Sequence, residues 1–328
     1  MTYGKKITLP LVGMLLLFAL VVAAVVREAE GVSLLSSAAD AGSRSNGDPT
    51  ATKISFNGGT FEASGVVHVP GTNGVLFVDD GRNEEIFWMQ LGEGRGQAGA
   101  IRAVRLGASV VDLEGITTDG RYFYVVGSQS KSKGGDRAGL VRFRFDAQGQ
   151  RVEGAEAVSG LKRFLAENVA ELRGMENRKY KDGGINVEGV AWDPRGRRLL
   201  LGLRSPIVDG NALVVPLRLR DQRGAFSADN LEVEGAKAIR LPLGGAGIRS
   251  IEYDERVKAF RVITGAGPND EKLDFKLWEW NGDATRPSLR ETGTYDRRLK
   301  PEGVTRVSSN GRDFTFIVFD TSGYAATD

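Results

Sequence analysis

Three glutamates stand immediately before a glycine at the head of an apolar run: Glu114-Gly115, Glu188-Gly189 and Glu302-Gly303. Carboxylates drawn to one point can coordinate a hard cation such as Ca2+ or Mg2+, which takes oxygen ligands and needs neither histidine nor cysteine. Without a metal they raise one another's pKa, and a positive side chain has to offset the repulsion. Arg249, which occupies the same place in a fourth copy of the pattern, is one candidate for that role, and Arg204 is another. Ser128 and Asp320 close the strands that follow two of the glutamates. The expected ligand-binding set is therefore Glu114, Glu188, Arg204, Arg249, Glu302, Ser128 and Asp320, with Glu114, Glu188 and Glu302 as its metal-binding subset. A plainer reading stands beside it, in which repeated glutamates only hydrogen-bond the backbone of a neighbouring unit.

Other chemistries are excluded by composition. The 328 residues include no cysteine and one histidine, His68. Disulfides, thiolate nucleophiles, zinc-thiolate sites and multi-histidine metal sites are thereby ruled out. His68 has no counterpart in the repeat and reads as a satisfied surface or core residue. The 44 basic and 42 acidic side chains leave a net charge of +2, which removes the electrostatic argument for a nucleic-acid partner. Arg195, Arg197 and Arg198 read as a solvated turn, as do Arg297 and Arg298.

The elements that carry these residues are short. Val75–Val78, Tyr122–Val126 and Phe314–Phe319 have the β-branched and aromatic content of strands, and the short apolar run Leu199–Leu201 also reads as one. Asp-Gly, Pro-Arg-Gly and Asn-Gly turns separate the runs. Glycine is abundant, 44 of 328 residues, against a usual fraction of roughly 7%. The heads of the repeat are Ser64, Glu114, Glu188, Arg249 and Glu302, spaced by 50, 74, 61 and 53 residues. Units of that length with several strands each predict an all-β propeller. Five blades fit, or six if the segment 217–249 hides another; a pair of β-sandwiches would give no reason for the repeated Glu-Gly. The long spacing has a local cause. Leu161, Phe164, Leu165, Val169 and Leu172 follow helical periodicity up to Gly174, so a helix is inserted between blades two and three. The last unit lacks a strand, and residues 53–56 are expected to supply it and close the ring.

Residues 53–328 form the propeller domain in this reading. Ahead of it, Lys5 and Lys6 precede an uncharged run from Ile7 to Val26. Such a run is long enough to span a bilayer, with the lysines kept on the cytoplasmic side. Residues 1–30 are expected to be a signal peptide or an uncleaved anchor, engaging the membrane or the export machinery. Residues 31–52 are read as a flexible linker. The domain is then periplasmic, or anchored and facing outward.

Asp112-Leu113-Glu114-Gly115 with Gly127-Ser128 carries a resemblance. So does Asn186-Val187-Glu188-Gly189 with Gly202-Leu203-Arg204-Ser205-Pro206 and Asn211-Ala212. Together they resemble the bacterial family known as domain of unknown function 3616, from about Phe56 to Asp320. The resemblance implies an exported β-propeller and transfers no reaction. It extends distantly to the esterase-like phytase propellers, which share the Glu-Gly strand heads; Arg249 departs from that pattern. The expected function is binding of a small anionic or metal-bridged ligand at a Glu/Arg-lined channel mouth. Metal-assisted hydrolysis of a phosphoester or lactone is the reaction such a mouth would perform. The alternative is a non-catalytic scaffold that binds an envelope protein.

Overall fold

A computed structural model describes Met1 and residues 52–130, 138–267, 272–309 and 311–328. The chain divides into residues 1–47 and 48–328, and only the second unit is described below. The apolar run 7–26 and nearly all of the linker lie outside the described residues. Among the described residues no helix is long and apolar enough to cross a membrane.

Twenty described strands form five sheets, in which consecutive strands pair antiparallel. Blade 1 holds β1 (Ala63–His68), β2 (Gly74–Asp79), β3 (Glu85–Gln90) and β4 (Arg102–Arg105). Blade 2 holds β5 (Leu113–Thr118), β6 (Phe123–Gly127), β7 (Ala138–Asp146) and β8 (Arg151–Ser159). Blade 3 is built from β9 (Asn186–Asp193), β10 (Arg198–Ser205) and β11 (Ala212–Leu219). Its outer position is shared by two short pieces, β12 (Leu231–Val233) and β13 (Ile239–Leu241), which pair with opposite ends of β11. The segment 217–249 is thus a divided outer strand and hides no sixth blade. Blade 4 holds β14 (Gly247–Asp254), β15 (Ala259–Gly265), β16 (Phe275–Trp280) and β17 (Leu289–Tyr295), and blade 5 holds β18 (Pro301–Ser309), β19 (Arg312–Phe319) and β20 (Gly323–Thr327). The protein is a five-bladed β-propeller.

Burial grades from the axis outward. The second strands β2 and β6 are buried along their whole length, whereas the outer strand β8 is largely exposed. Five apolar clusters fill the five gaps between neighbouring blades, and one of them joins blade 5 to blade 1. The outer strands carry opposite charges across the ladder, Arg142 to Glu156 at 2.8 Å and Lys276 to Glu291 at 2.7 Å. Charge on an edge discourages pairing with another chain. The expected inserted helix is shorter than its periodicity predicts: α1 (Leu161–Asn168) stops at Val169, whose backbone is extended, and a separate single turn follows at Ala170–Leu172. Leu161, Phe164, Leu165, Val169 and Leu172 are nevertheless all buried in the cluster between blades 2 and 3. Arg195 is no free surface arginine. It donates to the Asn281 carbonyl at 2.9 Å and lies 5.4 Å from the centre of the Phe260 ring, so it ties blade 3 to blade 4. Two residues later Arg197 is exposed, as a solvated turn requires.

Closure is made by the residues ahead of β1. Ile54 exchanges two backbone hydrogen bonds with Tyr324, at 2.7 and 2.8 Å. Phe56 stacks on Phe77 of blade 1 at 5.3 Å. The expected four-residue strand is reduced to this one bridge, because Phe56 turns into the apolar gap between blades 5 and 1. Replacing Ile54 by Pro removes a donor worth about 1 kcal/mol. Thermal unfolding of Ile54→Pro should fall by roughly 2–4 °C, and that of Phe56→Ala by more, since truncating a buried Phe costs about 3–5 kcal/mol. Calorimetry checks both, with Ile54→Val as the control that keeps the donor.

Candidate functional site

Each blade presents its inner strand to the axis, and each inner strand is irregular at the same place. The ladder register slips between Ala63 and Gly65, at Glu188 opposite Gly202–Leu203, between Leu113 and Gly115, between Ile248 and Ser250, and between Pro301 and Gly303. The residues left out of register are Ser64, Glu114, Glu188, Arg249 and Glu302, the five heads of the repeat. A bulge bends the strand and re-aims a side chain. The glycine that follows lets the inner strands touch. A Cβ on Gly65 would lie 2.9 Å from the Glu114 carbonyl oxygen, and one on Gly115 would lie 3.0 Å from that of Glu188. Blade 4 carries Ser250 instead, and its hydroxyl accepts the Val304 N–H of blade 5 at 3.2 Å.

The bulged side chains meet in a chain of alternating charge. Arg249 donates to Glu188 at 2.9 Å and to Glu302 at 2.9 Å, so a residue of blade 4 grips blades 3 and 5. Glu188 also accepts from Arg204 at 2.9 Å and from the Asn186 amide at 2.8 Å. Arg204 is fixed in turn by the Ala266 carbonyl at 3.2 Å, and the Tyr180 ring centre lies 4.8 Å from its guanidinium carbon. No hydrogen bond or ion pair holds the half-buried Glu114 side chain among the described residues. None of the three glutamates is held by a backbone amide there. Three buried atoms beside them lack hydrogen-bond partners among the described residues, Arg249 Nε, Asn186 Oδ1 and Ser205 Oγ; Asn186 and Ser205 face each other across the β9–β10 ladder.

Electrostatics follow from this packing. Burial, together with Glu188, Asp112 and Glu302, pushes the Glu114 carboxyl well above the usual carboxylate range. Burial raises Glu302 to about 8 against the pull of Arg249. Burial alone would lower Arg249, but Glu188, Glu302 and Glu114 outweigh it and keep the guanidinium charged. At the rim, burial and Glu62 push Asp80 to about 7, helped by Asp112 and Asp320. Ser128 and Ser130 donate to Asp112, and Lys300 holds Asp320 at 2.7 Å.

All seven residues expected from the sequence therefore lie at one end of the axis. Arg249 sits where a metal would sit between Glu188 and Glu302, and among the described residues no group of three His, Asp or Glu side chains is arranged to hold a metal ion. His68 ends β1 at the far side, its Nε2 2.9 Å from the Thr72 carbonyl oxygen. Two kinds of residue were missed. Tyr180 comes from the insertion between blades 2 and 3, which has no copy elsewhere in the chain to flag it. Glu62, Asp112, Asn186 and Lys300 each stand two places before a bulged residue. That second polar column is visible in the sequence once the blades are aligned.

The fold and this mouth define a class, a five-bladed propeller with a buried carboxylate–arginine hub. Residues 149–320, slightly more than half of the chain, match the family described as Protein of unknown function (DUF3616), and the protein belongs to that family. No curated protein matches it. Among solved structures it is similar to the hydrazine synthase of Kuenenia stuttgartiensis, with 10% identity and a TM-score of 0.37. That likeness covers 78% of this chain, which spans 61% of the length of the synthase chain. It is also similar to the PQQ domain of pyranose dehydrogenase from Coprinopsis cinerea, with 10% identity, 86% and 98% of the two chains covered, and a TM-score of 0.47. The soluble aldose sugar dehydrogenase of Escherichia coli gives 14% identity, 85% and 86% coverage, and a TM-score of 0.39.

Two outcomes are expected of the hub. At pH 9, above the Glu302 value of about 8, Arg249→Met leaves two buried carboxylates without the cation between them, so it should cost about 3–5 kcal/mol in urea unfolding, and Glu302→Gln in the same chain should recover part of that. The pH dependence has a definite sign. Glu302 and Asp80 keep their protons in the native state up to about 8 and 7, whereas the unfolded carboxyls lose theirs near pH 4. Between those limits the native state binds more protons, so stability falls as pH rises. The melting temperature should decline from pH 5 to pH 9, and Glu302→Gln should flatten that decline.

Proposed function

We propose that the hub mouth binds a small ligand carrying an oxyanion, and that it acts on a phosphoester or lactone of that kind. The observation behind this reading is that Glu114, Glu188 and Glu302 are buried or half-buried at one mouth with no backbone partner among the described residues. A glutamate that only pins the adjacent blade would accept its backbone amides, whereas Glu188 and Glu302 are held by the Arg249 side chain. Asn186 Oδ1 and Ser205 Oγ, buried and unmatched among the described residues, add an acceptor and a donor for a polar guest. Arg204 keeps 23% of its side chain exposed and supplies the anion contact. The Glu114 carboxyl, pushed well above the usual carboxylate range by burial and by Glu188, is suited to give its proton to a leaving oxygen. Tyr180 covers the Arg204 side of the mouth. A small-molecule ligand is the partner in this reading, and nucleic acid is not.

A second reading has its own support. Arg249 joins three blades through two carboxylates, which is how a rigid envelope scaffold would lock its ring. In either case we propose export behind the run Ile7–Val26. A mature N-terminus near Ala39, read by mass spectrometry, marks cleavage; an intact N-terminus marks an anchor.

A panel of phosphomonoesters, lactones and carboxyl esters, run with and without Ca2+ and Mg2+, separates the two functions. Hydrolysis that Glu114→Gln lowers by about 100-fold, the size of a general-acid contribution, with little change in melting temperature, supports the first reading. Arg204→Gln should act mainly on KM. No turnover of any member and no thermal shift with any of them would favour the scaffold.

A further inference from the structure

On the face opposite the hub mouth, the β5–β6 turn of blade 2 and the β9–β10 turn of blade 3 flank a cavity of about 710 Å³. Its size falls in the range of small-molecule sites. Arginine dominates the walls: Arg121, Arg142, Arg197, Arg198 and Arg218. Three of these are already neutralised. Arg142 pairs with Glu156, Arg198 with Asp193 and Glu234, and Arg218 with Glu232. Arg121 and Arg197 are exposed, and neither guanidinium has a carboxylate partner among the described residues. The acid in the wall, Asp119, is committed elsewhere. It accepts the Arg121 and Tyr122 N–H groups at 2.8 and 2.6 Å and the Tyr124 hydroxyl at 2.8 Å. Two guanidinium groups without an ion-pair partner among the described residues therefore border this space, beside a carboxylate whose oxygens are already engaged by neutral donors.

The walls are also aromatic. The guanidinium carbons of Arg121 and Arg142 lie 5.2 and 5.0 Å from the Tyr122 ring centre. Arg142 also lies over Phe226 at 4.7 Å. Trp192 and Tyr124 stack with planes 2° apart and centres 6.2 Å apart. Flat rings and guanidinium planes present stacking surfaces, while free guanidinium groups recognise oxyanions through paired N–H donors.

We propose that this cavity is a second binding site, for a small organic anion that carries a flat ring, such as an aryl phosphate or aryl carboxylate. The ring lies against Tyr122, Trp192 and Phe226, and Arg121 and Arg197 hold the anionic group. The assignment does not depend on what the hub mouth binds.

Calorimetric titration of the full-length chain with phenyl phosphate tests it, with tryptophan emission followed in parallel. Saturable binding is expected, with quenching of the emission. Inorganic phosphate, lacking the ring, and phenol, lacking the charge, should each bind at least about tenfold more weakly. The double variant Arg121→Gln/Arg197→Gln should weaken phenyl phosphate by about tenfold or more. Arg297→Gln, which removes one exposed charge far from the cavity, should leave it unchanged. Trp192→Phe should lose most of the quenching while calorimetric binding persists. The proposal is overturned by absence of saturable binding up to about 10 mM, by wild-type affinity in the double variant, or by an equal loss in Arg297→Gln. Equal affinity for inorganic phosphate would overturn the ring-binding part.

Discussion

Arg249 is the fixed point of the hub. Its guanidinium lies between Glu188 and Glu302, each at 2.9 Å, and its side chain is 11% exposed. Two carboxylates taken from water repay their desolvation only through close, hydrogen-bonded charge. The bulge that carries Arg249 inward is therefore coupled to the bulges that carry the glutamates. If one strand straightened, a buried charge would be left alone. Blades 3, 4 and 5 share this constraint directly. Blade 2 joins it through the field of Glu114, and blade 1 presents the small Ser64, whose hydroxyl donates to the Leu113 carbonyl at 2.8 Å.

Crowding at the axis explains why five inner strands adopt one irregularity. Five strands packed edge to edge cannot each keep a Cβ at the point of closest approach. Glycine at positions 65, 115, 189 and 303 removes it, and the bulge one residue earlier turns the preceding side chain inward. A polar group aimed inward at that level meets four others, so charges must alternate or protons must be retained. The raised carboxyls of Glu114 and Glu302 and the charged Arg249 are two solutions to the same problem. The opposite end of the axis has no such bulge. There the hairpin turns spread apart, and the space between blades 2 and 3 fills with arginine and aromatic side chains.

Much of this was legible in the chain. Glu114, Glu188, Arg249 and Glu302 identify themselves by recurring at equivalent places, and a closed ring sends equivalent places to one axis. The closing role of residues 53–56 follows from counting strands in the last blade. Tyr180 was hidden, because it sits in an insertion that has no copy to compare. The second polar column of Glu62, Asp112, Asn186 and Lys300 could have been found by aligning two residues further back. Arg195 resembled any turn arginine, and only the packing of blade 4 against blade 3 shows it bonded to Asn281.

What the amino-acid sequence determined by itself is periodic: a propeller of five or six blades, the inner strands, the polar residue at the head of each and, in four of five, the glycine after it. Such features depend on local alternation and on repetition, which a linear string records. Only the tertiary structure decided the pairing: Arg249 with both Glu188 and Glu302, Glu114 with no partner among the described residues, and an arginine-lined cavity on the far face. Those outcomes depend on which side chains from distant segments reach one volume of low dielectric. Distances of a few ångströms across a ring leave no mark on sequence spacing.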